Sequence, residues 1–137
     1  MDVHDAARHW AETWEAGWRT HDLDAVVALY APDCVYRSHP FRPPNQGRAG
    51  AVAYLSKAFA TEEDPDPHFT VVAVEGDRAA VEWWCSATDE GSPVTLAGAS
   101  MVRFDADGLV VQEHDYWNQA DSIEQPFDGW GWGTRAT

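Results

Sequence analysis

The chain has 137 residues, enough for one domain with a core and too few for two. Its formal net charge of −14 disfavours nucleic acid and anionic lipid surfaces as partners, and no apolar run approaches the ~18 residues that cross a bilayer. A hydrophobic fraction of 45% with eight tryptophans argues for a folded globule rather than a disordered chain.

Residues 3 to 20 carry Ala7, Trp10, Ala11, Trp14 and Trp18 at three- and four-residue steps, which predicts a helix with one broad apolar face. Three tryptophans on one face must cover something large and flat. Trp10 reads as core, whereas Trp14 and Trp18 read either as core or as the wall of a ligand cavity. Asp22 is placed to cap a second helix, residues 23 to 30, which Ala31-Pro32-Asp33 ends. Cys34 to Ser38 reads as a short strand with Tyr36 and Ser38 on one face. The stiff loop after it, with His39, Phe41 and Arg42, suits a cavity rim. Gly47 to Ala60 is a third helix, with Val52, Leu55 and Phe59 at helical spacing. TEEDPDPH reads as a polar connector.

From Phe69 onward the pattern has a period of two. Four strands are expected, at 69–74, 78–88, 94–104 and 109–118, joined by short turns into an antiparallel meander. Helices first and meander after make the class α+β. A sheet this long must twist, and the helices are its only cover. The expected architecture is a cone-shaped curled sheet wrapped around three helices, with an internal pocket. The core spans about 5–119, and an aromatic, glycine-rich tail runs over 120–137.

Alternation then selects the pocket face of each strand: Tyr36 and Ser38; Trp83 and Cys85; Gly98, Ser100 and Val102; Asp115 and Trp117. In the last strand, Leu109, Val111, Glu113, Asp115 and Trp117 share one side. A carboxylate at the end of an apolar stripe is a candidate acid or base near neutral pH. Asp115 is the expected catalytic group, with Tyr36 as a donor to an oxyanion or a positioned water. Trp14, Trp18, Ser38, His39, Phe59, Trp83, Cys85, Ser100, Val102 and Trp117 are the expected substrate contacts. Asp115 reads as a single carboxylate without a paired second group. Cys34 and Cys85 lack a partner that would form a thiolate and read as small hydrophobes. The six histidines fall at spacings that make no metal site, and no cofactor motif is present. The free cysteines and the absence of a signal-peptide pattern suit a cytoplasmic protein.

Trp84, His114 and Tyr116 fall on the convex face, which predicts a homodimer through the sheet. Phe127, Trp130 and Trp132 in the tail should dock on the pocket mouth, on a dimer mate or along the protein's own sheet.

The element order, together with HDLDAVVALYAPDCVYRSHPF, GRAGAVAYL and DGLVVQEHDYWN, resembles the SnoaL-like branch of the nuclear-transport-factor-2-like superfamily from about Trp10 to Trp117. The resemblance implies a cone-shaped α+β barrel with a deep apolar pocket, usually a homodimer. Polyketide cyclases, ketosteroid isomerases, epoxide hydrolases, dehydratases and plain binding domains share that fold. The motif most similar to this chain is that of limonene-epoxide-hydrolase-type members. There a Tyr, and an Asn two residues on, hold a water, and the matching positions are Tyr36 and Ser38. The catalytic Asp before the Tyr of an aromatic pair matches Asp115. The Arg and Asp of the middle strand fall on Trp83 and Cys85, so that enzyme's orienting arginine and second carboxylate are missing.

The expected function is cofactor-independent proton transfer by Asp115 on an apolar, ring-bearing small molecule: isomerisation, aldol cyclisation or hydration. The alternatives are a non-catalytic small-molecule binder, an epoxide-hydrolase-like enzyme without the Arg/Asp pair, and a dimerisation module with a filled pocket.

Overall fold

A computed structural model describes residues 1–133. Helix α1 (Val3–Thr20) is capped by Asp2, whose side chain accepts from the His4 amide, and ends where His21 turns left-handed at φ 54°. Its apolar stripe buries Ala7, Trp10, Ala11, Trp14 and Trp18 against the sheet, as the spacing predicts. Helix α2 is shorter than its apolar spacing suggests. It covers Leu23–Val27, capped by Asp22, and the chain enters strand β1 (Tyr30–Arg37) at once.

Pro32 therefore lies in a strand rather than at a helix end. It sits where the pairing of β1 with the last strand is interrupted, between Tyr30 and Val35, so its missing N–H breaks no ladder bond. The loop after β1 contains a two-residue strand, β2 (Asn45–Gln46), before helix α3 (Gly47–Ala60). The polar stretch after α3 is not a connector. Strand β3 runs over Glu62–Glu75 and includes Pro65 and Pro67. A strand tolerates these prolines because β3 is the outermost of the sheet, with no strand paired along its other side. A register shift between Glu63 and Asp66 takes up Pro65.

Strands β4 (Arg78–Asp89), β5 (Ser92–Phe104) and β6 (Val110–Ala120) complete the meander. The sheet order is β2-β1-β6-β5-β4-β3. All neighbours are antiparallel except β1 and β6, which run parallel. The sheet curls around the helices but does not close, because β2 and β3 remain as its edges. The alternation in β4 holds throughout, with Ala79, Val81, Trp83, Cys85 and Ala87 buried. In β6 it slips once. A register shift beside Phe104 turns Val110 inward, and Val110 rather than Val111 is fully buried.

Trp83, Gly98 and Trp117 lie opposite one another on β4, β5 and β6. Gly98 gives the row its room. A Cβ there would sit 2.1 Å from the Tyr116 carbonyl oxygen and 2.7 Å from the Trp117 Cα, both backbone atoms that cannot move aside alone. Gly98→Val should therefore destabilise the fold by at least the ~1–3 kcal/mol typical of overpacking, with the loss read as a lower thermal midpoint. An unchanged midpoint would mean that β5 and β6 are not held this close.

The tail folds back over the outer face of its own sheet. Thr95 Oγ1 donates to the Ser122 carbonyl at 2.7 Å and accepts from the Glu124 amide at 2.9 Å. Trp84 Nε1 donates to the Glu124 carbonyl at 2.9 Å, while Phe127 and Trp130 meet the Trp84 ring edge-on. The Gly131 amide donates to Glu82 at 2.8 Å. The outer face around Trp84 is thus covered by this chain's own tail, one of the three places expected for Phe127 and Trp130.

Candidate active site

The concave side of the sheet and helices α1 and α3 enclose a cavity of about 600 Å³, its open mouth included. Its wall is mostly aromatic, with Trp10, Trp14, Trp18, Phe69, Trp83 and Trp117 among the residues that line it. No Arg, Lys or His is among the lining residues described.

Strand alternation delivers Glu113, Asp115 and Trp117 from β6 to this interior. Asp115 is 7% exposed and Glu113 only 1%. Asp115 Oδ1 accepts from Ser100 Oγ at 2.6 Å, and the Ser100 hydroxyl in turn accepts from Trp83 Nε1 at 3.0 Å. Tyr36 supplies a further hydrogen bond to the same carboxylate. Glu113 Oε1 accepts from the Tyr30 hydroxyl at 2.5 Å, which itself accepts from Trp14 Nε1 at 3.0 Å. Glu113 and Asp115 hydrogen-bond to each other. One polar chain thus runs from Trp14 through Tyr30, Glu113, Asp115 and Ser100 to Trp83, inside an otherwise apolar core.

Burial sets the electrostatics of this chain. Desolvation raises Glu113 well above the ordinary carboxylate range, and the neighbouring Asp115 charge pushes it the same way. Desolvation also raises Asp115, but hydrogen bonds from Glu113, Ser100 and Tyr36 hold it lower than burial alone would. Two carboxyls this close do not both ionise readily. Of the two, Glu113 is pushed up further and holds its proton the more firmly. Desolvation, reinforced by the two carboxyls, raises the phenols of Tyr30 and Tyr36 well above their usual value. Both remain protonated donors.

The expected contacts divide in two. Trp14, Trp18, Tyr36, Phe59, Trp83, Ser100, Asp115 and Trp117 line the cavity together. Ser38, His39, Cys85 and Val102 do not. Ser38 is buried behind the wall, where its carbonyl accepts from Trp117 Nε1 at 2.7 Å. His39 packs edge-on against the same indole. Val102 is buried in the core. Cys85 is buried, and desolvation raises its thiol far above the usual range, so a thiol reagent should label it only after unfolding. Rapid labelling of the native protein at neutral pH would contradict this placement.

Glu113 is the residue that sequence reasoning passed over. The two-residue spacing already placed it beside Asp115, yet only one carboxylate was expected at the site. The apolar spacing extends the second helix over Tyr30, which hides this residue as the partner of Glu113. Tyr54, Leu55 and Glu62 also line the cavity without having been singled out as contacts. Among the described residues, Trp10 Nε1 is buried with no hydrogen-bond partner.

Residues 7–113 match the SnoaL-like domain family. The chain is 31% identical over 102 residues to the cyclase aurE of Calcarisporium arbuscula, a match covering 69% of this chain and 74% of the relative. Among solved structures, RV0760c of Mycobacterium tuberculosis superposes with a TM-score of 0.71 at 18% identity, covering 84% of this chain and 95% of that one. A protein of ketosteroid-isomerase-like fold from Catenulispora acidiphila, solved with trimethylamine, gives 0.65 at 20% identity, covering 78% and 83%. At these identities the two structures bear on the fold alone.

Proposed function

The chain belongs to the SnoaL-like domain family, and on that premise we propose that it is a cofactor-independent cyclase or isomerase acting on an apolar, ring-bearing carbonyl compound. The observation that carries this reading is the buried Glu113–Asp115 pair on the cavity wall. In the proposed reaction Asp115 removes a proton alpha to a carbonyl, and Tyr36, whose O–H the newly protonated carboxyl releases, joins Tyr54 in donating to the enolate oxygen. Both phenols are raised by burial, and in a dry site such donors act strongly. In an isomerisation Asp115 returns the proton to another carbon. In an aldol closure the enolate carbon attacks a second carbonyl of the same molecule, and the proton goes to the new alkoxide. Either way the proton balance closes without an outside reagent.

The test is solvent exchange. With bicyclic ketones such as 1-tetralone in D₂O, the protein should speed deuteration of the alpha carbon above background, as read by NMR. Binding of such ketones with no exchange across a panel would favour the second reading, a non-catalytic binding domain. The aromatic wall supports that reading, since it suits an apolar guest whether or not Asp115 acts.

A homodimer through the outer sheet face is part of the proposal. Met101 and Tyr116 are 55% and 47% exposed there, beside the part that the tail covers. Light scattering should give twice the chain mass; a monomer at micromolar concentration would count against it.

A further inference from the structure

We propose that Glu62 forms a second polar pole of the cavity and binds a hydroxyl group on the substrate, at the end remote from Asp115. This rests on the cavity being a substrate site. Glu62 is the first residue of β3 and pairs with Asp89 at the far end of β4. Asp115 lies three strands away, in the row of Val81 and Ser100. Both carboxyl groups nevertheless line one cavity.

The Glu62 side chain is 9% exposed and is held rigidly. Its Oε1 accepts from Trp18 Nε1 at 2.6 Å and meets His21 Nε2 at 3.0 Å. The His21 ring is itself fixed, stacked on Phe59 at 4.7 Å and 22°, at the left-handed end of α1. Among the described residues both contacts go to Oε1, and Oε2 accepts no hydrogen bond. Oε2 is not a buried atom lacking a partner; it reaches solvent, and a substrate hydroxyl would take the place of water as its donor. The apolar wall favours a neutral hydroxyl over an ammonium group, whose charge would lose its water on entering the cavity.

In the same cavity wall Trp14 and Trp83 each lie at 25° to the plane of Phe69. That surface suits a flat ring system. The substrate class is therefore a fused-ring ketone with its reacting carbonyl toward Asp115 and a hydroxyl at the opposite end.

The test measures binding in Asp115→Asn, so that turnover plays no part. The probes are 1-tetralone, 6-hydroxy-1-tetralone and an aminomethyl analogue, titrated by calorimetry. The hydroxylated ketone should bind about tenfold more tightly than its parent. Glu62→Leu should remove that preference, read as the ratio of the two affinities, so that any change common to both ketones from the released Trp18 indole cancels. Glu62→Gln, which keeps the shape, should reduce the preference if the leucine variant does not fold. Equal affinities, a preference that survives loss of Glu62, or tightest binding by the amine would each overturn the assignment. Failure of all the ketones to bind would overturn the substrate-site reading itself, and this assignment with it.

Discussion

Asp115→Asn should lower turnover by about 10²- to 10⁴-fold, the contribution of a positioned general base, without unfolding the protein. Asparagine is nearly isosteric, and its oxygen still accepts from Ser100, which donates to Asp115 at 2.6 Å. The substitution also removes a charge that burial disfavours, so stability should hold or rise slightly. The signature is a fall in kcat with ligand affinity nearly unchanged, since the amide cannot take the proton but the aromatic wall remains. A variant with full turnover would remove Asp115 from the chemistry. One that merely retunes affinity, in a protein without detectable turnover, would support the binding-domain reading.

The second large effect concerns pH and stability. Glu113 and Asp115 are both raised in the folded protein, so the native state holds protons that the unfolded chain has released. Between the unfolded values, about 4.3 for Glu and 3.9 for Asp, and the raised folded values, stability must fall as pH rises. The contribution is fully present below the unfolded values and is lost as pH climbs through the folded ones. Each unit of elevation corresponds to about 1.4 kcal/mol. Glu113→Gln substitutes a neutral side chain that can still accept from Tyr30 and donate to Asp115. Denaturant unfolding at pH 5 and pH 8 should show a smaller loss of stability for this variant than for the native chain. Comparing the two cancels the exposed groups, including Asp66, which Arg19 holds low and which acts only at acid pH. Equal slopes would mean that Glu113 is not raised.

The fold was legible in the sequence where periodicity was uninterrupted. The tryptophan stripe of α1 and the alternation of β4 each follow from a single repeat, and tertiary packing reinforces both. Legibility failed where proline spoke against a strand. Pro32, Pro65 and Pro67 all lie in β1 or β3, at a ladder interruption or on the sheet's outer strand, and neither setting can be read locally. Tyr30 was misplaced for that reason, and with it went the donor to Glu113. The bulge that turns Val110 inward depends on the partner strand, so no property of β6 alone announces it.

The cavity-facing side of β6 was readable, because Glu113, Asp115 and Trp117 keep strict two-residue spacing. Their electrostatics were only half readable. Desolvation of Asp115 follows from its apolar neighbours, but its coupling to Glu113 depends on how closely two side chains approach. Glu62 lay in a stretch with the composition of a surface loop. Only the pairing of β3 with β4 brings it to the cavity.

The most direct test of the carboxyl pair is an NMR titration of the side-chain carboxyl carbons, assigned with Asp115→Asn and Glu113→Gln. The pair should titrate as a coupled unit, with Asp115 changing state clearly above the ~3.9 of a free aspartate and Glu113 higher still. A midpoint for Asp115 at or below about 4, independent of Glu113, would mean a solvated or ion-paired carboxylate and would contradict its role as the base.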